Sequence, residues 1–412
     1  MGCRVTLSEI CTINASQYST KEAWTRIQYL DTGNVTRGAI SELQQLDPLI
    51  DKVPSRARRK VKPNSIVYSM VRPNQEHYAL LKKPPTNMLV STGFSVIDAN
   101  ENRVLPSYLY YALTTNQATR GFQTLAEQSV STYPTLSSAD LLAFEIPLPS
   151  LNCQQRIAAV LECLDEKIAT NTKLNGYLEE LLLAKCADLE NAVEESCTVG
   201  DYCKRIYSGG TPSTKIPSYW NGTLPWLSSG ETRARFIIGS EKTITPEGIE
   251  GSSTKLANRG SIVMAPAGQG FTRGQTSMLL FDTYVNQSVV VMVPEEKCGS
   301  YLLFALAARY EELRAWSDST STRGSLSGKI LRRFALPCLT KKQLERFESL
   351  ANPLIRVIES NLRESKSLAE LRDALLPKLM SGEIDVSKVD LTQLNSHLVE
   401  RWPSSLQLQD CR

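Results

Sequence analysis

The chain has 412 residues, room for two or three compact domains, with a formal net charge of +3, 42% hydrophobic residues and 22% charged ones. This composition excludes wholesale disorder, and no apolar run approaches the ~20 residues of a membrane span. The N-terminus lacks the basic region and apolar core of a secretory signal, so we expect a cytoplasmic protein with no membrane partner. Ten cysteines without a Cys-x-x-Cys pair and only two histidines, His77 and His397, argue against a zinc site. Met1-Gly2-Cys3-Arg4-Val5-Thr6 fits the loose myristoylation pattern, but no polybasic run follows closely.

Taken in chain order, residues 1–150 are basic, with 15 Lys/Arg against 12 Asp/Glu. Their densest cluster is Lys52, Arg56, Arg58, Arg59, Lys60 and Lys62, opposed nearby only by Asp51. It reads either as a solvated loop or as a phosphate-contacting patch. The run Ser65 to Val71 predicts a strand, Pro106 to Thr114 a helix, and Phe144 to Leu148 a closing strand. Residues 151–195 then predict a long amphipathic helix: Ile157, Val160, Leu161, Leu164, Ile168, Leu174, Leu178, Leu181 and Leu182 recur at three- and four-residue steps.

Residues 196–338 repeat the pattern of a basic domain, with predicted strands at Ser261 to Met264 and Val289 to Val293, a helix at Gly299 to Ala308 and a closing strand at Phe334 to Pro337. A second amphipathic tail occupies 339–382, with Phe347, Leu350, Leu354, Ile358, Leu368, Leu371 and Leu375 on its stripe. Asn352-Pro353 predicts a break there and a fresh helix start, Asn as cap and Pro at the first position. Residues 383–412 form a C-terminal tail.

The repetition is measurable. An ungapped offset of 190 aligns 136–185 with 326–375, pairing Leu136 with Leu326, Phe144 with Phe334, Pro147 with Pro337, Arg156 with Arg346, Leu164 with Leu354, Ile168 with Ile358, Asn171 with Asn361 and Leu178 with Leu368. The fold class expected is therefore mixed α/β (α+β): two globular domains in pseudo-twofold tandem, separated by two long antiparallel helices. Near-heptad spacing suggests that the helices pack on each other. Some 30 helical residues would extend ~45 Å. The alternative is that each helix covers its own domain's sheet. Asn171 and Asn361 either pair across the helix interface or face solvent.

No catalytic constellation emerges. Gly268-Gln269-Gly270 with Gly274 fits neither a dinucleotide fingerprint nor a P-loop, and adjacent carboxylates such as Glu179-Glu180 read as solvated surface. Polar loops in the second basic domain look better shaped for a ligand: Gly209, Gly210, Thr211, Ser213 and Lys215; Ser228, Ser229, Thr232 and Arg233; Ser253 and Lys255; and Arg273. Such loops suit groove reading, since glycines permit close approach and hydroxyls and cations address phosphates and base edges. Ordinary turn chemistry explains each loop alone.

Three stretches resemble the specificity subunit of type I restriction-modification systems: SGGTPSTKIPSYWNGTLPWLSS at 208–229, IPLPSLNCQQRIAAVLECLDEKIATNTKL at 146–174, and RDALLPKLMSGEI at 372–384. The resemblance covers essentially the whole chain. It implies two target recognition domains, each reading half of a bipartite site in double-stranded DNA, held apart by spacer helices on which two methyltransferase subunits dock. Restriction/translocase subunits would join that complex. No catalytic, cofactor or metal site is expected on this chain; S-adenosylmethionine, ATP and Mg belong to the partner subunits. Within the helices, Gln155, Arg156, Leu164, Ile168, Leu178, Leu354, Ile358 and Leu368 are the expected spacer and docking residues. Two departures stand out: Lys342-Gln343-Leu344-Glu345-Arg346-Phe347 replaces the Gln-Gln-Arg-Ile string in the second tail, and nothing beyond Ile384 is recognisable. A helical adaptor with non-specific nucleic-acid-binding domains is the alternative, and a stand-alone nuclease a third reading.

Overall fold

In the computed structural model, residues 3–129, 133–191, 193–268, 270, 272–320 and 325–389 are described. Met1, Gly2, His397, Cys411 and the tail beyond residue 389 lie outside them. The chain divides into two compact units, residues 1–167 with 368–412, and residues 168–367.

The first unit runs β1 (Cys3–Thr6), α1 (Leu7–Ile10), β2 (Cys11–Ile13), β3 (Ile27–Leu30), β4 (Val35–Thr36), β5 (Ala39–Ile40), β6 (Gln44–Leu46), β7 (Ala57–Lys60), β8 (Ser65–Ser69), β9 (Tyr78–Leu81), β10 (Met88–Ser91), β11 (Phe94–Ala99), α2 (Pro106–Leu113), α3 (Asn116–Glu127), α4 (Ser138–Ala143) and β12 (Glu145–Leu148). The long helix α5 (Leu151–Glu190) follows. Two four-stranded sheets, ordered β6-β3-β10-β7 and β2-β11-β8-β9, accompany a β1-β12 ribbon. Strand β8 is buried at every residue, as expected where both faces of a strand are covered.

The second unit contains β13 (Ser196–Thr198), β14 (Cys203–Ser208), β15 (Trp220–Leu227), β16 (Phe236–Ile237), β17 (Lys242–Ile244), α6 (Pro246–Glu250), β18 (Lys255–Ala257), β19 (Ile262–Met264), β20 (Thr276–Leu279), β21 (Thr283–Val285), β22 (Val290–Pro294), α7 (Gly299–Ala308), α8 (Tyr310–Thr320), α9 (Gly328–Leu331) and β23 (Ala335–Pro337), then α10 (Lys341–Ser381). Its sheets are β14-β22-β19-β20-β16 and β17-β15-β21-β18, with a β13-β23 ribbon.

The duplication extends to single hydrogen bonds. In the first unit the Leu7 amide donates to the Phe144 carbonyl at 3.0 Å, and in the second the Val199 amide donates to Phe334 at 2.9 Å. Each turn is fastened by a carboxylate three residues after a threonine. Glu9 accepts from the Thr6 amide at 3.0 Å and Asp201 from the Thr198 amide at 2.8 Å, the reciprocal half of a capping box. Tyr108 Oη donates to the Pro147 carbonyl at 2.7 Å, and Tyr301 Oη to Pro337 at 3.1 Å.

Two expectations about the tails need correction. The helices have 40 and 41 residues rather than about 30, so each runs about 60 Å at 1.5 Å per residue. The added turns are not bare spacer. Ile157 and Leu161 enter the core of the first unit, and Leu182 and Cys186 that of the second, so covering the domains and pairing with each other are both part of what the helices do. The predicted break at Asn352-Pro353 is absent, since α10 continues through it. Pro353 lies on the exposed side, as does Ser349 one turn earlier, so the carbonyl that loses its partner is within reach of water. Ala351, Ile355 and Ile358 on the opposite side are buried in the core, and their burial carries the helix across the proline. Asn352 is no cap; its side chain donates to Glu348 at 3.2 Å.

Candidate nucleic-acid interface

In the first unit the basic cluster falls on and around β7, the edge strand of its sheet. Residues 16–18 shield that edge. The Lys60 amide donates to Ser16 at 3.1 Å and the Tyr18 amide to Arg58 at 2.7 Å. The chain supplies carboxylates that the local sequence does not reveal. Lys60 pairs with Glu22 and lies 5.4 Å from the centre of the Trp24 ring, and Lys62 pairs with Asp98 at 3.6 Å. Arg58 Nε donates to the Ser55 carbonyl at 3.2 Å. Arg59 is half-buried, and burial lowers its guanidinium pKa. Lys52 and Arg56 are exposed.

The second unit puts its polar loops around β14, β15 and β18. Gly209 and Gly210 spend their missing Cβ inside the protein, where a side chain would strike the backbone of Val285 and of Ser253. Trp226 Nε1 donates to the Gly210 carbonyl at 3.4 Å, Trp220 Nε1 donates to Ser213 at 3.1 Å, and the two indoles meet edge to face at 5.0 Å. Thr211 hydrogen-bonds to Gln287. Glu231 closes the next loop by accepting from the Ser228 amide at 2.8 Å and the Glu241 amide at 2.7 Å.

Two of the expected contact residues point inward. Thr232 is buried and donates to the Ser229 carbonyl at 2.9 Å. Arg273 is 5% exposed and holds Asp318 at 2.6 Å. Lys215, Arg233, Ser253 and Lys255 are exposed. Sequence reasoning passed over Arg205, Tyr207 and Lys242. Arg205 and Lys255 lie 5.6 and 5.7 Å from the Tyr207 ring centre, and Lys242 lies 5.9 Å from that of Trp220. The alternation of cations and aromatics across β14, β17 and β18 was the available signal.

The helices pair antiparallel within each unit. In the second, Asn171 faces Glu364 and Ser365, and Asn175 faces Ile358 and Asn361. In the first, Asp165 accepts from Arg372 at 2.6 Å and from Tyr111 Oη at 2.7 Å. Burial would lower the Arg372 pKa, but Asp165 and Asp373 outweigh it and hold it above its ordinary value. Arg156 donates to the carbonyls of Val386 at 2.8 Å, Ser387 at 3.2 Å and Val389 at 2.6 Å, so the segment after Ile384 is bound to the start of α5.

Each domain is also fastened to a helix. Lys82 meets Glu162 at 2.9 Å in the first unit; in the second, Arg259 grips Glu359 while Arg363 donates to the Leu280 carbonyl at 3.2 Å. Gln154, the first residue of the Gln-Gln-Arg-Ile string, is fully buried and accepts from the Leu105 amide at 2.9 Å, joining α5 to the start of α2.

Of the expected spacer residues, Ile358 is buried in the second core and Leu178 and Leu354 pack against it; Gln155, Leu164, Ile168 and Leu368 are half-buried. The apolar groups left in solvent are others: Leu174, Tyr177 and Leu181 on α5, and Leu350, Val357 and Leu371 on α10.

Residues 4–180 match the type I restriction modification DNA specificity domain. At 21% identity the chain is similar to the type I restriction enzyme HindI specificity subunit of Haemophilus influenzae, over 90% of this chain and 97% of that protein. At 24% identity it is similar to the type I restriction enzyme MjaIX specificity subunit of Methanocaldococcus jannaschii, over 83% of this chain and 82% of that protein. The crystal structure of the type I restriction-modification system S subunit from M. genitalium shares the fold, with a TM-score of 0.56 at 16% identity over 92% of this chain and 96% of that one. Residues 4–180 thus carry this DNA specificity domain, and over most of its length the chain is similar to specificity subunits of type I restriction-modification systems. Among the described residues no helix is long and apolar enough to cross a membrane.

Proposed function

We propose that this chain is the non-catalytic recognition subunit of its complex, each domain reading one half of a bipartite duplex site while α5 and α10 set the gap. The observation that carries this reading is the duplicated attachment of domain to helix, down to the paired Leu7–Phe144 and Val199–Phe334 hydrogen bonds. Two equivalent mounts carry two domains whose loops differ, an arrangement suited to two different half-sites and two copies of one methyltransferase subunit.

Lys52, Arg56 and Arg58 in the first domain, and Arg205, Lys215, Arg233, Lys242 and Lys255 in the second, supply the phosphate and base contacts. Gly209, Gly210, Thr211, Ser213, Ser228, Ser229 and Ser253 shape the loops that carry them. Lys60 and Lys62 are partly neutralised by Glu22 and Asp98, and Thr232 and Arg273 hold loops in place from behind. The exposed apolar groups of α5 and α10 are the docking surface for methyltransferase subunits, which bring S-adenosylmethionine; restriction subunits bring ATP and Mg.

A binding assay on random duplexes tests this. Bipartite preference that collapses when the gap grows by one base pair supports recognition. Salt-sensitive binding indifferent to sequence supports a helical adaptor, and metal-dependent cleavage by the purified chain alone contradicts the non-catalytic assignment.

A further inference from the structure

The ribbon that opens the second domain carries a thiol pair that its counterpart lacks. Cys197 stands opposite Leu336 in the β13–β23 register, and one step beyond the ladder the Cys338 amide donates to the Glu195 carbonyl at 2.8 Å. Cys197 and Cys338 are therefore diagonal neighbours on one face of the ribbon. Cys197 Sγ lies 3.8 Å from the carbonyl oxygen of Pro337, the residue before Cys338. Tyr202 Oη donates to the Pro337 carbonyl at 2.7 Å and accepts from the Leu339 amide at 2.9 Å, bracketing Cys338 on both sides. Both cysteines are partly exposed, whereas Cys186, Cys203 and Cys298 of the same unit are buried. The corresponding positions of the first ribbon hold Val5 and Leu148, so the fold itself does not call for cysteine here.

We propose that Cys197 and Cys338 are a site of reversible oxidative modification, joined as a disulfide by a peroxide-class oxidant. One thiol takes an oxygen atom from the peroxide, giving a sulfenic acid and water. The sulfur of the second thiol displaces that hydroxyl, forming the S–S bond and a second water; the two thiols lose two electrons and two protons, and the peroxide accepts both. Diagonal cross-strand positions lie about 7–8 Å apart, slightly beyond the usual span of about 4.4–6.8 Å between bridged Cα atoms. Closure therefore needs a small shift, and it falls at the end of the ladder before α10, where the single bond from the Cys338 amide to Glu195 would have to give. Burial above all pushes the Cys197 thiol up to about 11, which keeps it protonated at neutral pH and makes bridging faster as pH rises. The bond would fasten the chain at the point where it leaves the second domain for α10.

The test is alkylation mapping of the reduced full-length chain after hydrogen peroxide, by mass spectrometry of a non-reduced digest. We expect one linked peptide joining Cys197 to Cys338, parallel loss of alkylation at both sites, recovery on adding dithiothreitol, and a bridging rate that rises roughly tenfold per pH unit from pH 7 to pH 9. In Cys197→Ser, which places an isosteric side chain on the ribbon, Cys338 should enter no disulfide. Both cysteines remaining alkylated in the wild-type chain, ending as sulfinic acids, or linking to other cysteines overturns the proposal.

Discussion

Asn171 and Asn361 stand 190 residues apart and make the same contact from opposite sides of the helix pair. Asn171 Nδ2 donates to Ser365 Oγ at 3.3 Å and Asn361 Nδ2 donates to Asn175 Oδ1 at 2.8 Å, each reaching the residue four positions beyond the other. Asn171 is 2% exposed, so the alternative of a solvent-facing pair is settled. Buried amides of this kind fix register and orientation at a cost in stability relative to leucine. Asn361→Ala leaves the Asn175 amide oxygen without its partner in a buried place. We expect a loss of about 1–3 kcal/mol by urea denaturation, whereas leucine at both 175 and 361, which removes both partners of this bond, should restore stability while relaxing the helix register.

Arg156 binds three carbonyls of residues 386–389 with one guanidinium. Arg156→Ala should therefore raise amide hydrogen exchange in 385–389 by at least tenfold while exchange in β8 stays unchanged. Arg156→Lys should not rescue it, because an ammonium cannot reproduce the planar fork. Equal protection in all three proteins would show that the arginine does not hold the segment.

The basic cluster of the first domain should divide by its internal partners. Charge reversal at Arg56 and Arg58 should weaken duplex binding and flatten the salt slope by about two phosphate contacts, each worth a slope of about 0.9. Lys60→Ala and Lys62→Ala, with Glu22 and Asp98 already in contact, should change the slope by less than half as much. Arg59 is a poorer probe, because reversal at a half-buried site would also disturb the sheet. Unchanged affinity and salt slope on reversal of Arg56 and Arg58 would return the cluster to the reading of a solvated loop.

The Arg259–Glu359 contact should give stability a pH signature. Its hydrogen bond from Arg259, aided by Arg363, holds the Glu359 carboxyl below 4.5. A depressed carboxylate contributes stability that is fully present above pH 4.5 and is lost as pH falls through the lowered value. Glu359→Gln should thus cost about 1 kcal/mol at pH 7, a figure discounted for the half-exposed Arg259, and the difference should shrink as pH falls through the lowered value, by chemical denaturation. A difference independent of pH would assign the loss to packing.

How much of this was legible depended on whether the cause was local. The two tails announced themselves because their apolar period follows from the helix itself, and the closing strands and the helices α2 and α7 emerged for the same reason. The reciprocal turns at Thr6–Glu9 and Thr198–Asp201 were readable as a hydroxyl three residues before a carboxylate, yet each is too short to stand out alone. What the sequence concealed arose from chain brought from afar. Glu22 and Asp98 neutralise lysines 38 and 36 residues away. Asp318 takes up Arg273, and the buried face around Ala351 overrides the helix-stopping signal of Pro353. The glycines at 209 and 210 were read as room for a ligand, whereas they admit the protein's own backbone.

The central claim, that two equivalent mounts present two different readers to one DNA duplex, is tested most directly by mapping methylated adenines genome-wide in cells carrying this subunit and its methyltransferase. We expect one bipartite motif, modified on opposite strands in its two halves across a gap of fixed length, that disappears when this gene is deleted. Methylation at a single contiguous motif, or a pattern unchanged by the deletion, would contradict it.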